Sequence, residues 1–377
     1  MTSAALQHTE LLPAPAIREA KQSDNRDLLA LAASCSMRGD ITLRFQREPD
    51  FFALNRLEGR EWTVDVVVAE DRIAGCVATS IRDVYIDGCP MRTGYVGDLK
   101  VHPAHRDIAT ADALWNRASD RMDCLPTGTP TLITVLAGNK AMARRLSGER
   151  GLTPFDWVAT IRSYSIPILW RRHLAGGIAV ERAKWFQLDE MANLWNRVAR
   201  TRQFAPVFST ETFADWIRSA PGLGISSYIL ARSQRGELLG FIGLWDQSSF
   251  KQMYVEKYSR KMAIVSAMTN AIAPRLGGAR LAQAGEQMRF QTVVNACVAA
   301  ENPEVLKALL RCAHNSLRNS ESAFFNIGLD VADPLTSAVE GLFAQATDID
   351  AYVGTTKGPL DIERLRARPL HYEIALV

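Results

Sequence analysis

The segment from Tyr95 to Leu114, YVGDLKVHPAHRDIATADAL, limits the possible folds more than any other part of the chain. Apolar residues alternate from Tyr95 to Val101, which is the period of a strand. The run ends at His102-Pro103, and after a short basic turn the pattern predicts a helix from Thr110 to Cys124. The first N–H groups of a helix have no intrahelical partners, and the helix dipole makes that end positive. The segment therefore predicts an anion site where a strand ends.

The turn in this segment has the composition of a diphosphate site. Arg106 supplies a positive charge, and the small residues Ala109, Thr110 and Ala111 let an anion approach the backbone. An ordinary strand–helix connection with a solvated arginine is the simpler alternative. The position of the turn within the whole order of predicted elements favours the anion site.

The segment resembles the signature of the Gcn5-related N-acetyltransferase superfamily. In that signature a strand and a V-x-P-like turn precede Arg/Gln-x-x-Gly-x-Gly/Ala and a helix. The matching residues are Val101-His102-Pro103 and Arg106-Asp107-Ile108-Ala109-Thr110-Ala111. Ala109 replaces the expected glycine, which costs about 1 kcal/mol if the position needs a positive φ. The resemblance implies that the amides of this turn hold the pyrophosphate of acetyl-coenzyme A.

The resemblance implies further residues at the cofactor. In this family the strand backbone also pairs with the pantetheine arm, and Leu99, Lys100 and Val101 occupy those positions here. An asparagine after the next strand often contacts the same arm. Asn139 has this position, and it is equally suited to be the N-cap of the helix that it opens. The tyrosine that often acts as an acid on that helix has no counterpart in Ala143–Ser147.

Acyl transfer to an amine needs a group that removes a proton, often a carboxylate. Asp98 lies on the cofactor strand and is the candidate for this role. The alternative is a strand carboxylate that pairs with Arg92 or Lys100. His102 and His105 titrate near neutrality but are expected to be solvent-facing turn residues.

The residues that cap the acceptor site in this family lie in a segment that is rich in phenylalanine here. Phe45, Phe51 and Phe52 fall within a pattern that predicts a helix from Arg44 to Leu57. They are either core residues of that helix or the wall of an acceptor pocket.

The second half of the chain repeats the order of elements predicted for the first. VVVAEDRIAGCV, near residue 70, and YILARSQRGELLGFI, near residue 235, align Gly75 with Gly240. We therefore predict an α/β (α+β) fold of two tandem acetyltransferase-type domains, each a mixed, mostly antiparallel sheet flanked by helices. The predicted boundaries are a flexible tail at 1–14, a cofactor-binding domain at 15–172 and a diverged copy at 178–377.

Two further features belong to the second copy. Ala299-Ala300-Glu301-Asn302-Pro303 follows its long strand without a basic residue or a glycine, so that this copy is expected to lack a cofactor site. It also carries extra sequence between Asp246 and Gln287, with a helical pattern from Arg260 to Arg275, and it is predicted to end in a strand from His371 to Val377.

Composition excludes several classes of protein. The 377 residues are 47% hydrophobic and 23% charged, with a net charge of +3, which is too small to favour DNA as a partner. The six cysteines form no C-x-x-C pair and the histidines no metal-binding spacing, so we expect free, mostly buried thiols, no metal and a cytoplasmic location. No apolar stretch approaches the length of a membrane span, and no membrane partner is expected.

Taken with the resemblance, these features predict an acetyl-coenzyme A-dependent N-acetyltransferase. It would move the acyl group directly to a small-molecule or peptide amine. Two alternatives remain: an aminoacyl-tRNA-dependent transferase, because such enzymes also use tandem copies of this fold, and a non-catalytic acyl-coenzyme A sensor.

Overall fold

The computed structural model describes residues 16–106, 108–148, 154–174 and 176–376; the predicted tail at 1–14 lies outside them. The strands are β1 (Ala16–Glu19), β2 (Ile41–Gln46), β3 (Glu61–Ala69), β4 (Arg72–Ile86), β5 (Cys89–Val101), β6 (Thr131–Leu136), β7 (Asp156–Pro167), β8 (Ala179–Arg182), β9 (Ala205–Pro206), β10 (Tyr228–Arg232), β11 (Leu238–Trp245), β12 (Gln252–Tyr258), β13 (Gln287–Met288), β14 (Phe290–Val298), β15 (Phe324–Asp330) and β16 (Gln345–Gly354). The helices are α1 (Asn25–Ser34), α2 (Asn55–Glu58), α3 (Ile108–Met122), α4 (Lys140–Leu146), α5 (Leu188–Ala199), α6 (Thr210–Ser219), α7 (Arg260–Ile272), α8 (Pro303–Ser316) and α9 (Ile362–Arg366).

One large sheet runs through both halves of the chain. Its strand order is β1-β3-β4-β5-β6-β16-β7-β15-β14-β11-β10-β8, and β9 pairs with β4. The pairs β5–β6 and β14–β15 are parallel, and the other neighbours are antiparallel. A separate small sheet has the order β13-β12-β2. This is the predicted mixed, mostly antiparallel architecture flanked by helices.

The two halves exchange their last strands. β16 from the second half pairs with β6, and β7 from the first half pairs with β15. β16 and β7 also pair with each other along most of their length. The halves therefore form one continuous sheet, while the boundaries at residues 172 and 178 remain a prediction.

The repeat extends to matching irregularities. Gly75 lies opposite Val101, and Gly240 lies opposite Val298, so the two glycines that the sequence aligns have equivalent places in their hairpins. A Cβ at either glycine would come within 3.0 Å of a carbonyl oxygen on the neighbouring strand, at Lys100 or Cys297. Both positions thus need glycine because two backbones approach closely.

The first half of the sheet has a core on each face. Since side chains alternate along a strand, Val96 and Tyr95 of β5 point in opposite directions. Val96 packs with Leu114 and Trp115 of α3, whereas Tyr95 packs with Val84 and Tyr372. The site strand β5 is thereby held from both sides.

The predicted helix from Arg44 to Leu57 is wrong over its first part. Arg44 and Phe45 belong to β2, which pairs with β12 about 200 residues later in the chain. A 3-10 turn at Phe51–Ala53 and the short helix α2 complete the segment. The alternation in ITLRFQ is the strand period, and pairing with a distant strand decides the outcome.

The prediction of a last strand from His371 to Val377 is also wrong. His371–Leu376 forms no ladder and ends in a 3-10 turn at Ile374–Leu376; Val377 lies outside the described residues. The final strand is β16, which the sequence did not predict and whose first residues are mostly polar. Between β6 and β7 these polar groups find partners: Asp348 pairs with Arg162, and Asp350 accepts a hydrogen bond from Thr160. A 3-10 segment, Pro334–Val339, precedes β16.

Candidate functional site

A β-bulge interrupts strand β5 at the predicted catalytic residue. Gly97 lies opposite Ala78 and Lys100 opposite Cys76, so that Asp98 and Leu99 together face one residue of β4. Asp98 has a positive φ of 51°. A bulge bends a strand and redirects its side chains. Here the bulge marks the point where β5 turns away from β6, while its pairing with β4 continues to Val101.

Beyond the bulge, β5 and β6 diverge. Among the described residues their parallel ladder covers only Gly94–Val96 and Thr131–Ile133. The backbone of Leu99, Lys100 and Val101 therefore borders a wedge on its β6 side instead of a strand. Peptide groups along such an edge are free to pair with the amides of an extended ligand.

The predicted anion turn follows directly at the end of β5. A 3-10 turn at Pro103–His105 is capped by the His102 ring, whose Nδ1 accepts a hydrogen bond from the Ala104 amide at 3.2 Å. Arg106 is exposed, and its Nε lies 3.5 Å from the Val101 carbonyl oxygen, which leaves the guanidinium largely available. Helix α3 then begins at Ile108. Asp107, part of the predicted site, lies outside the described residues, as does the side chain of Ile108.

The small residues of the turn form the first turns of α3. Ala109 is exposed, Ala111 is half-buried and the Thr110 side chain is buried. Ala109 lies within the helix and is not among the residues of positive φ. The backbone strain expected for an alanine with a positive φ at this position therefore does not arise. The methyl group of Ala109 is the remaining difference from glycine.

Asn139 caps α4. Its Oδ1 accepts a hydrogen bond from the Met142 amide at 3.2 Å, which is one of the two roles that the sequence allows. The residue is exposed just beyond the C-terminal end of β6, past the residues of β6 that pair with β5. Contact with a cofactor remains a prediction.

Asp98 is the centre of a buried ion cluster. Its carboxylate accepts two hydrogen bonds from Arg47, at 2.5 and 2.7 Å, and one from Lys100. Burial acts to raise the pKa of Asp98, but the charges of Arg47 and Lys100 outweigh it and hold that pKa well below its usual range. The carboxylate is therefore a fixed negative charge at neutral pH. Arg47, from the end of β2, was missed by the sequence because it is 51 residues away from Asp98.

A small cleft lies beside this cluster. Trp62 and Tyr95 contribute aromatic surface, and Asn55, Glu58 and Asp98 contribute polar groups. Asn55 is buried and donates to Asp98 at 3.4 Å, yet its Oδ1 has no hydrogen-bond partner among the described residues. A buried acceptor without a partner is costly, so the cleft is suited to a ligand that carries N–H groups.

The other polar groups of the cleft are already paired. Glu58 forms a buried ion pair with Arg82, whose guanidinium stacks 3.9 Å from the centre of the Tyr95 ring. The Tyr95 hydroxyl is hydrogen-bonded to that of Tyr372 at 2.7 Å. These contacts fix the floor of the cleft.

The phenylalanines expected near an acceptor site have structural places. Phe51 and Phe52 are buried in the core under α1, and Phe45 packs on the small sheet through β2. Core packing was one of the two readings of this segment. The aromatic residues that line the cleft are Trp62 and Tyr95 instead.

Lys251 is a buried lysine close to the same cluster. Its Nζ donates to the carbonyl oxygen of Ala375 at 3.1 Å, and Gln247 donates to the same oxygen at 2.8 Å. Burial, assisted by the charge of Arg47, lowers the pKa of Lys251 to about 7. Nothing in the sequence marks this residue, since a lone lysine in a turn normally faces water.

The second half repeats the bulge and the wedge but arranges them differently. Asn295 takes the position of Asp98, with a φ of 49°, and within the described part of the chain β14 pairs with β15 only at Phe290–Thr292. The segment Leu370–Ile374 runs along this second wedge, and the Asn295 amide donates to Glu373 at 2.8 Å. The turn before α8 carries Glu301, which lies 3.7 Å from Arg202.

The sequence also predicts mostly buried thiols and no metal site. Among the described residues, no three His, Cys, Asp or Glu side chains gather as metal ligands would. The six cysteines are unpaired; Cys76 and Cys297 are buried, whereas Cys89 and Cys124 are exposed, so that the thiols are less buried than expected. No helix in the described part of the chain is long and apolar enough to cross a membrane.

Comparison with known proteins identifies the fold. No sequence family model and no curated protein matches the chain. Solved structures do: Saccharomyces cerevisiae N-myristoyltransferase with bound myristoyl-CoA aligns with a TM-score of 0.62 and 13% identity, over 95% of this chain and 89% of that chain. A GCN5-related N-acetyltransferase from Sphaerobacter thermophilus aligns with a TM-score of 0.58 and 15% identity, over 93% and 99% of the two chains. The chain therefore has the fold of acetyltransferase-type proteins.

Proposed function

We propose that this protein is an N-acyltransferase that uses a coenzyme A thioester and an amine. The observation that carries the proposal is the wedge between β5 and β6, with a bulge at Asp98 on one side and the start of α3 at its end. An extended thioester in this wedge would pair with the backbone of Leu99, Lys100 and Val101. Its pyrophosphate would meet Arg106 and the first amides of α3.

The reaction would proceed by direct transfer. The amine nitrogen attacks the thioester carbonyl, the new C–N bond forms as the C–S bond breaks, and the sulfur leaves as the thiolate of coenzyme A. The amine loses a proton to a base or to water, and the thiolate gains one. Backbone N–H groups at the bulge are suited to polarise the carbonyl, and holding both reactants in the wedge supplies much of the rate.

The cleft beside Asp98 is proposed as the acceptor site. The unpartnered Oδ1 of Asn55 can accept an N–H of the amine, and Trp62 offers an apolar wall. The negative charge of Asp98 is already offset by Arg47 and Lys100, so the cluster offers no net attraction to a protonated amine. Asp98 as the proton acceptor stays a prediction, and its ion pairs with Arg47 and Lys100 favour a role in holding the bulge.

The second copy is proposed to have lost its cofactor site. Glu301 in the turn would repel a diphosphate, and Leu370–Ile374 lies along the wedge where a pantetheine arm would pass. Acetyl-coenzyme A remains the proposed co-substrate. The S. cerevisiae structure holds myristoyl-CoA, so the proposal covers longer acyl chains as well as acetyl.

The test is thiol release from acyl-coenzyme A in the presence of mixed amines. We expect amine-dependent release with acetyl-coenzyme A, measured beside a series of longer acyl chains. Binding of acyl-coenzyme A without amine-dependent release would favour the sensor. Retention of aminoacyl-tRNA, with release only when it is present, would favour the tRNA-dependent route, for which the net charge of +3 provides little support.

A further inference from the structure

Helix α7 exposes its apolar side to water. Ile264, Met268 and Ile272 are 64%, 62% and 53% exposed, and Val265 is 40% exposed. These residues lie on one face at spacings of three to four and seven to eight residues. The opposite side contains Ser266, which is buried, and Asn270, which exchanges two hydrogen bonds with the backbone of Leu281 at 2.7 and 3.0 Å. The amphipathic pattern is therefore inverted: the polar side packs on the protein.

The charges carried by the segment of sequence that contains α7 have one sign. Exposed basic residues stand at both ends of the helix, and the sequence has no acidic residue between Lys257 and Gly285. The basic residues are Lys257, Arg260, Lys261, Arg275 and Arg280. A surface with apolar side chains between cationic ends complements the headgroups and the acyl boundary of an anionic bilayer.

We propose that α7 docks this protein onto the surface of an anionic phospholipid membrane, lying in the plane of the interface. Ile264, Val265, Met268 and Ile272 would enter the acyl boundary, and the flanking basic residues would contact phosphate and carboxylate headgroups. The sequence led us to expect no membrane partner because it has no spanning segment. An interfacial helix needs none.

A second copy of the chain fits this face poorly. A helix of 13 residues offers a face roughly 20 Å long and about 10 Å wide. That is about 200 Å², whereas a stable dimer buries about 800 Å² on each partner. Two copies related by a twofold axis would also bring the basic ends of the helices together, which is repulsive.

The docking helix is connected to the candidate acceptor cleft through the small sheet. α7 follows β12 directly, and β12 pairs with β2. The residue after β2 is Arg47, which holds Asp98. The register places Arg47 beside the Gln252 end of β12, whereas α7 follows Tyr258 at the other end, so β12 separates the docking helix from the cluster at Asp98.

The test is cosedimentation of the full chain with sucrose-loaded vesicles. One set is phosphatidylcholine alone, and the other contains added phosphatidylserine. We expect binding to the anionic vesicles, weakened at least about tenfold by Ile264→Asp with Met268→Asp, because two charges would enter the interface. Arg260→Gln with Lys261→Gln should weaken it by roughly fivefold for each charge removed. Phe186→Asp is the control, since Phe186 is 78% exposed and belongs to the 3-10 turn Trp185–Gln187 instead of α7.

The results distinguish an anionic membrane from a second copy of the chain as the partner of the exposed face of α7. A monomeric mass by light scattering and binding that depends on both α7 variants, with Phe186→Asp unchanged, support the proposal. Equal binding of the wild type and the Asp double variant, or no binding to anionic vesicles, would overturn it. So would a dimer that dissociates in the double variant. Thermal unfolding of each variant shows that the helix still packs on the protein.

Discussion

At the scale of single residues, the bulge at Asp98 depends on charges that come from distant parts of the chain. Arg47 and Asp98 are both largely buried and form a bidentate pair, with Lys100 as a third member. Removing one member of a buried ion pair leaves an uncompensated charge in a poor solvent. The cluster is therefore a requirement for the shape of the wedge, whatever part Asp98 takes in proton transfer.

We expect Asp98→Asn to lower the free energy of unfolding by about 3–5 kcal/mol. Asp348→Asn is the matched control, because its pair with Arg162 is about one-third exposed on both sides and should contribute at most about 1 kcal/mol. Urea denaturation of both variants measures the difference. A stable Asp98→Asn protein that binds coenzyme A normally but turns over slowly would instead assign the amine proton to Asp98.

Lys251 gives the protein a pH dependence that can be measured separately. Burial lowers its pKa in the folded state to about 7, from 10.5 in the unfolded chain. Between these two values the unfolded chain binds one more proton, so this residue makes stability rise with pH. The cost of burying the charged lysine is fully present below pH 7.

In Lys251→Met this contribution disappears. The stability of the wild type relative to Lys251→Met should increase by up to about 1.4 kcal/mol per pH unit between pH 7 and pH 9. Paired denaturation curves at several pH values measure this difference, because the other titrating groups cancel. A difference that stays flat over that range would mean that Lys251 is not buried as described.

At the scale of elements, the second wedge is closed by close packing between β15 and the C-terminal segment. A Cβ at Gly328 would lie 2.5 Å from Cγ2 of Ile374. Gly328→Ala should therefore displace Ile374 and cost about 1–3 kcal/mol of stability. Gly176→Ala is the control, since nothing lies within 4 Å of a Cβ there.

Affinity for coenzyme A should be the same in Gly328→Ala and in wild type, because the proposed cofactor wedge is the other one. Urea denaturation and a coenzyme A titration of the same samples test both statements. A loss of affinity that follows the loss of packing at Ile374 would place the cofactor in the second half.

The elements that the sequence predicted correctly are those decided by local pattern. β5, its turn and α3 have a strand period, a proline and a helical period in succession, and β6 and α4 have clear starts and ends. β2 and β16 were missed because each becomes a strand only through a partner far along the chain. The same reasoning explains why Arg47 was not connected with Asp98, and why the exposed side of α7 was not identified from its composition.

At the scale of the whole molecule, two similar halves are joined by exchanging their last strands. β16 completes the sheet beside β6, and β7 completes it beside β15. If the chain were cut between the halves, the first half would lack β16 beside β6, and the second half would lack β7 beside β15. The two halves thus have similar strands and bulges but different proposed roles. One wedge is proposed to bind the cofactor, and the other is occupied by Leu370–Ile374.

Titration calorimetry of coenzyme A tests the central claim most directly. We predict one site per chain, with affinity reduced about tenfold or more in Arg106→Ala, because a guanidinium beside a diphosphate adds charge-assisted hydrogen bonds. The reduction should be larger at low salt. Arg235→Ala, which removes an exposed arginine from a hairpin turn in the second half, should bind as wild type does. Two equal sites, no binding, or unchanged affinity in Arg106→Ala would contradict the account.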